Sequence, residues 1–312
     1  MKIIEDRIEN IKIDEKLCIG LGTFDGIHRG HKKIIETAIS MANRKNVKSA
    51  ILTFDRHPFS IIKPTEKINM ITDNYVKARI VEALGVDYLI FLQFSADFAN
   101  IDPILFIELL KKNLNACGII CGYNYTFGKY GKGNTSLLDT YKETLDYDLK
   151  VIKPVKYNNN IVSSTLIREE LKSGNICDAN AFLGYNYFCQ GMVFRGKKLG
   201  RKLGFPTANI KIPENLCIKN GVYITYTKID DKYYQSISNV GYNPTVESDK
   251  RSVETFIFDF KGDLYEKEIK VEFLDFIREE KKFPSVNHLK EQVLSDIEKV
   301  KLYFQSNYVY KV

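Results

Sequence analysis

Along this 312-residue chain the pattern of apolar and polar positions changes character a little past its middle. In the first half, short apolar runs alternate with helix-period stretches. An apolar run at 17–19 leads into a glycine-rich turn, after which Ile34, Ile35, Ala38, Ile39 and Ala42 share one helical face. Residues 50–54 read as a strand, 74–84 as a helix stopped by Gly85, and 86–94 as the next strand. Asp102-Pro103 opens a helix to about Asn115, and 117–121 is a further strand. This β-α-β-α order predicts an α/β unit, a parallel sheet with helices on both faces, whose ligands bind beyond the carboxyl ends of the strands.

Two short helices, 165–172 and 176–183, close that pattern, with Gly174 and Gly184 as punctuation. From Tyr187 onward the spacing changes to short alternating strands. Residues 221–229 and 232–239 around Asp230-Asp231 read as one hairpin; 253–260 and 264–274 around Lys261-Gly262-Asp263 read as a second. An amphipathic helix over about 286–303 should pack on this β structure. The expected division is 1–184 and 185–312, the second part being a small antiparallel barrel with a terminal helix.

Composition narrows the chemistry by exclusion. The net charge of +7 is spread over both halves with no basic tract, so nucleic-acid binding is not indicated. The first seven residues carry charges where a secretion signal needs an apolar run, and the longest apolar stretches are only strand-length. A cytoplasmic protein with no membrane partner is expected. Six cysteines form no Cys-x-x-Cys pair and only four histidines exist, so free thiols are expected rather than a zinc site.

The turn after the first strand reads Gly20-Leu21-Gly22-Thr23-Phe24-Asp25-Gly26-Ile27-His28-Arg29-Gly30-His31. A strand, a glycine-rich turn and a helix start make a cradle for phosphate, because first-turn N–H groups lack intrahelical partners and the helix dipole favours anions. His28 and His31 lie three apart and share a helical face, and Gly30 lets a phosphate approach the backbone. The dinucleotide fingerprint fails, since Asp25 stands where its third glycine belongs, and no P-loop exists. The His-x-Gly-His turn resembles the signature of nucleotidylyltransferases; two solvated histidines are the alternative.

The second half carries a basic glycine-rich segment from Gly196 through Arg201 and Gly204 to Phe205-Pro206-Thr207-Ala208-Asn209. It suits a triphosphate, or it is an ordinary basic surface loop. Thr207 and Asn209 point the same way from an extended segment, and their oxygens could orient a hydrated Mg²⁺. Alternation puts Glu254 on the face of Phe256, Phe258 and Phe260. A carboxylate on an apolar face is costly unless partnered, and desolvation lifts it toward the range of a general base. A strand end reaching solvent is the other reading.

Together these blocks resemble the bacterial bifunctional riboflavin kinase/FMN adenylyltransferase family. The likeness runs over nearly the whole chain, through Gly22-x-Phe24-Asp25-Gly26-x-His28-x-Gly30-His31, Phe54-x-x-His57-Pro58, residues 122–128 and Ser163-Ser164-Thr165-x-Ile167-Arg168. It continues through residues 200–209, 221–223, Asn239-Val240-Gly241-x-x-Pro244-Thr245, Glu254 and Arg278-x-Glu280-x-x-Phe283. The resemblance implies a Rossmann-like adenylyltransferase domain and a barrel kinase domain, with ATP, riboflavin and FMN as small-molecule substrates, FAD as product and Mg²⁺ accompanying ATP. It implies that Gly22, Phe24, Asp25, His28 and His31 hold ATP, with Ser163, Thr165 and Arg168 closing on its phosphates. Asp55, His57 and Asn124 would lie near FMN. In the kinase half, Gly196, Arg201, Gly204, Thr207 and Asn209 would hold MgATP, Glu254 would be the base, and Arg278 and Phe283 would border the flavin. Three positions depart from the family's pattern: Asn124-Tyr125 in place of Asp-Phe, Lys197 in place of an acidic residue, and Phe256 in place of a histidine. An adenylyltransferase for another acceptor, or a class I aminoacyl-tRNA synthetase, shares the first turn but not the second half. A flavin-binding regulatory protein is the non-enzymatic alternative.

Overall fold

A computed structural model describes residues 1–63, 65, 68–195, 200, 204–245 and 248–307. The chain divides into two compact units, Met1–Leu166 and Ile167–Val312. Gly196, Lys197 and Arg201, all singled out above, lie outside the described residues.

The first unit is a six-stranded parallel sheet. Its strands are β1 (Lys2–Asp6), β2 (Leu17–Leu21), β3 (Lys48–Phe54), β4 (Tyr88–Leu92), β5 (Ala116–Gly122) and β6 (Asp148–Ile152), in the order β1-β4-β3-β2-β5-β6. Central strands β2 and β4 are buried throughout, as expected of a sheet covered on both faces. On one face, Ile35 and Ala38 of α1 (Arg29–Lys45) and Val81 of α2 (Asn74–Ala83) pack against Cys18, Ile51 and Leu89. On the other, Phe106, Ile107 and Leu110 of α3 (Pro103–Leu114) and Leu138 of α4 (Thr135–Tyr141) pack against Ile19, Leu52 and Ile90. Asp102 caps α3 by accepting from the N–H groups of Ile104 and Leu105, which accounts for the start read from Asp-Pro. Strand β2 pairs with β3 on one side and β5 on the other. Its carboxyl end is therefore a topological switch point, where a crevice opens in such sheets.

The second unit contains α5 (Ser164–Ser173) from Ile167 onward, α6 (Ile176–Leu183), a closed barrel and α7 (Val286–Asn307). The barrel strands are β7 (Phe188–Phe194), β8 (Thr207–Lys211), β9 (Gly221–Ile229), β10 (Lys232–Thr245), β11 (Ser248–Ile257) and β12 (Glu268–Arg278), closed in the order β7-β8-β11-β10-β9-β12. The hairpin expected at 221–239 forms as β9 and β10. The second expected hairpin does not form. Strand β11 pairs with β10 and β8, while β12 pairs with β9 and β7. Alternation ends at Ile257, because Asp259 turns to φ 57°, and the chain then crosses to the other side of the barrel. Inside the barrel, the hydroxyls of Thr225, Thr227, Ser236, Ser238 and Thr255 bond to one another, so these buried polar groups are paired.

The compact units divide after Leu166, ahead of the boundary expected near 184. Helix α6 packs along β12. Asn180 donates to the Phe273 carbonyl at 2.9 Å and accepts from the Tyr187 N–H at 2.6 Å. A fragment beginning at 185 is therefore expected to unfold more easily than one beginning at 167. Losing the buried Ile176 and Leu183 side chains removes up to about 3–6 kcal/mol, and urea melts of the two fragments give the difference.

Candidate active sites

The loop between β2 and α1 departs most from ordinary backbone geometry. Phe24 (φ 48°), Gly26 (φ 82°) and Ile27 (φ 35°) all lie in the left-handed region. A buried phenylalanine and a buried β-branched isoleucine pay strain there, which surrounding structure must hold in place. Asp25 supplies much of that hold. Its buried carboxylate accepts from the N–H groups of Ile71 (2.9 Å) and Thr72 (3.0 Å), and the Gly26 N–H donates to the Thr72 hydroxyl at 3.1 Å. The sequence motif suggests Asp25 as a ligand residue; the fold gives its carboxylate to backbone amides far away in the chain.

His28 is the N-cap of α1, its Nδ1 accepting from the His31 N–H at 3.3 Å. In the neutral ring this bond puts the proton on Nε2. The two imidazoles stack at 3.7 Å between centroids and 15° between planes, and the Phe24 ring lies 5.1 Å from that of His31. Gly30 is needed because a Cβ there would meet the His28 ring at 3.1 Å. The result is a pair of parallel imidazoles at the positive end of a 17-residue helix.

Some of the other singled-out residues of the first unit lie beside this loop. The Ser164 hydroxyl, beside the expected Ser163 and Thr165, donates to the Asp25 carbonyl at 2.9 Å, and Ser163 accepts from the Leu166 N–H. Asp55 accepts from the Phe94 N–H (2.8 Å) and Arg56 Nε (2.9 Å), and His57 Nδ1 accepts from the Phe59 N–H. His57 lines one cleft with Thr23, Asp25, Thr72, Asn74 and Lys77. Asn124 is exposed on the turn after β5. Arg168, half-buried, belongs to the second unit, where its carbonyl accepts from the Cys217 thiol. Thr72, Lys77 and Ser164 were not singled out as site residues from sequence; Ser164 lies inside a quoted block without a role of its own, and Thr72 and Lys77 show no periodicity or motif.

On the barrel, Thr207 and Asn209 stand on the same outer face of β8. Asn209 pairs in register with Glu254 of β11, which pairs with Asn239 of β10, so three polar side chains form one row across three strands. Phe256 and Phe258 continue that face toward α7. Glu254 is half-buried rather than at a solvated strand end. Asn239 donates to Glu280 Oε1 at 3.2 Å, which brings the 278–283 segment to the same row. Arg278 is held by two 2.8 Å bonds to the buried Asp296 of α7, and its guanidinium carbon lies 5.8 Å from the Phe283 ring centre. Gly204 has φ 91°, a left-handed turn just before β8. The Oδ1 atom of Asn209 is buried and has no hydrogen-bond partner among the described residues. Such an oxygen awaits a donor or a cation.

Comparison with known proteins matches both halves. Residues 10–166 match the family model described as FAD synthetase, and residues 183–304 the one described as riboflavin kinase. The chain is 34% identical over 298 residues to the bifunctional riboflavin kinase/FMN adenylyltransferase of Bacillus subtilis (strain 168), covering 93% of each. It is 34% identical over 310 residues to the protein of that name from Buchnera aphidicola subsp. Schizaphis graminum, covering 97% of this chain and 99% of the other. A crystal structure described as a macrolide-efflux protein from Streptococcus pneumoniae is similar with a TM-score of 0.82 and 30% identity, over 96% of this chain and 99% of that one. Among the described residues of the present chain, no helix is long and apolar enough to cross a membrane. Two family models matched in order along one chain, and relatives matched almost end to end, show that it belongs to the bifunctional riboflavin kinase/FMN adenylyltransferase family.

Proposed function

We propose that this chain catalyses two consecutive steps of flavin cofactor assembly. Riboflavin takes the γ-phosphoryl group of ATP to give FMN and ADP, and FMN then takes the adenylyl group of a second ATP to give FAD and pyrophosphate. The observation that carries the reading is that each unit presents the residues one step needs. The Asn209–Glu254–Asn239 row supplies a base among orienting amides. The His28–His31 stack at a helix start supplies donors and positive potential. Adenylyl transfer is assigned to residues 1–184 and phosphorylation to 185–312, with ATP supply placing both in the cytoplasm.

The two steps make different demands. A ribityl hydroxyl must lose its proton as its oxygen bonds to the γ-phosphorus, and Glu254 takes that proton. The FMN phosphate is already an anionic nucleophile, so its attack on the α-phosphorus needs only positioning and charge stabilisation as pyrophosphate leaves. His28 and His31 give that, with Ser163, Thr165 and Arg168 assigned to the phosphates and Asp55, His57 and Asn124 to FMN. Arg278 and Phe283 are assigned to the flavin in the kinase.

Thr207 and Asn209 fit a magnesium ion carried in with ATP, since both offer oxygen donors on one face and the Asn209 Oδ1 atom is unpartnered among the described residues. When bound, the ion neutralises charge building on the transferred phosphoryl group. Asn209→Ala is expected to lower riboflavin phosphorylation by about 10–10²-fold and raise the magnesium concentration needed for half-maximal rate. ADP release measured across a magnesium titration checks this. An unchanged titration curve would remove Asn209 from the ion's site.

A further inference from the structure

Lys77 lies in the first turn of α2, where a lysine would ordinarily be solvated. The fold buries it to 6% exposure. Its Nζ donates to the Thr23 carbonyl at 3.1 Å and to the Thr53 hydroxyl at 3.4 Å, and that hydroxyl donates to the same carbonyl at 2.9 Å. Thr23 sits between Gly22 and Phe24, in the loop whose strained backbone leads to His28. The ammonium also lines the cleft that holds His57 and Thr72.

We propose that Lys77 is a positioning residue for adenylyl transfer: by fixing the Thr23 carbonyl it holds the 22–28 loop in the form that presents His28 to the nucleotide, and its charge adjoins the cleft assigned to the anionic phosphates. The proposal rests on the adenylyltransferase reading of this unit. The charged groups around Lys77 are Asp25 of the loop, Asp73 at the start of its own helix, and Arg56 and His57 after β3; the Phe91 ring of β4 lies 5.8 Å away. Burial pushes its pKa down to about 8 from 10.5, and Asp25 and Asp73 only partly oppose that. The unfolded chain therefore binds this proton more tightly than the folded one. Stability conferred by this group rises as pH rises from about 8 toward 10.5, so at neutral pH the fold keeps the charge at a cost to itself. A buried charge kept against stability beside a cleft marks a functional position.

The test is the pH profile of FMN adenylylation by the full chain, with riboflavin phosphorylation measured on the same samples as a control for folding. In the unmodified protein kcat/KM for FMN should fall as pH rises through about 8, because that ratio reports ionisations of the free enzyme. Lys77→Met should lower kcat/KM about 10²-fold at pH 7 and lose that alkaline fall. Lys77→Arg, which stays charged, should recover at least tenfold over the methionine variant and hold its activity past pH 9. Phosphorylation should change by less than twofold in both. An alkaline fall that persists in Lys77→Met, or an arginine variant no better than methionine, overturns the proposal. If the unmodified protein makes no FAD from FMN at any pH, the adenylyltransferase reading fails instead.

Discussion

Replacing His28 with asparagine should lower FMN adenylylation by about 10²-fold or more while riboflavin phosphorylation stays within twofold. Asparagine is the informative substitute because His28 has two roles. Its Nδ1 caps α1 through the His31 N–H, and its ring stacks on His31 at 3.7 Å. Asparagine is among the best N-caps, so it preserves the helix start. Only the imidazole and its Nε2 donor are lost. Alanine removes both and adds a capping loss of about 1 kcal/mol. If the asparagine variant made FAD at the original rate, His28 would be a capping residue and nothing more. A variant losing both activities would indicate a folding defect, which a thermal melt reveals.

Glu254→Gln should divide the two steps in the opposite sense. Glutamine keeps the shape and the register between Asn209 and Asn239 but cannot take a proton from the ribityl hydroxyl. Riboflavin phosphorylation should fall by roughly 10²–10⁴-fold. FMN adenylylation should hardly change, since its nucleophile is ionised before it binds. Given riboflavin, the variant stalls; given FMN, it makes FAD. Product chromatography with each flavin in turn reads both outcomes. Phosphorylation that survives the change would take the proton-accepting role away from Glu254.

Much of the fold was legible because its signals are local. Buried central strands, helix caps such as Asp102 and the switch from period 3.6 to period 2 each occupy a few adjacent residues. The edge strands were not. Lys2–Asp6 and Asp148–Ile152 are short, charged and partly exposed, so they lack the apolar run that marks a covered strand. Alternation also identified β11 without revealing its partner. The turn at 261–263 looked like a hairpin, but pairing is decided by the barrel's closure, which no short window contains.

The candidate sites divide the same way. His28, His31, Thr207, Asn209 and Glu254 stood out because spacing or an out-of-place charge drew attention to them. Asp25 is implied by the resemblance, and what no motif announces is that its carboxylate also accepts from the amides at 71 and 72. Lys77 was invisible, a lysine on an amphipathic helix until the fold closes over it. Long-range contacts convert ordinary residues into site residues, and sequence periodicity does not carry that information.

The most direct measurement supplies the purified full-length protein with riboflavin, ATP and magnesium and follows flavins, ADP and pyrophosphate together over time. The account predicts FMN appearing first with one ADP per FMN formed, then FAD with one pyrophosphate per FAD, and FMN passing through a maximum. Riboflavin left unchanged, or FMN accumulating with no FAD and no pyrophosphate, would contradict the claim that one chain performs both steps.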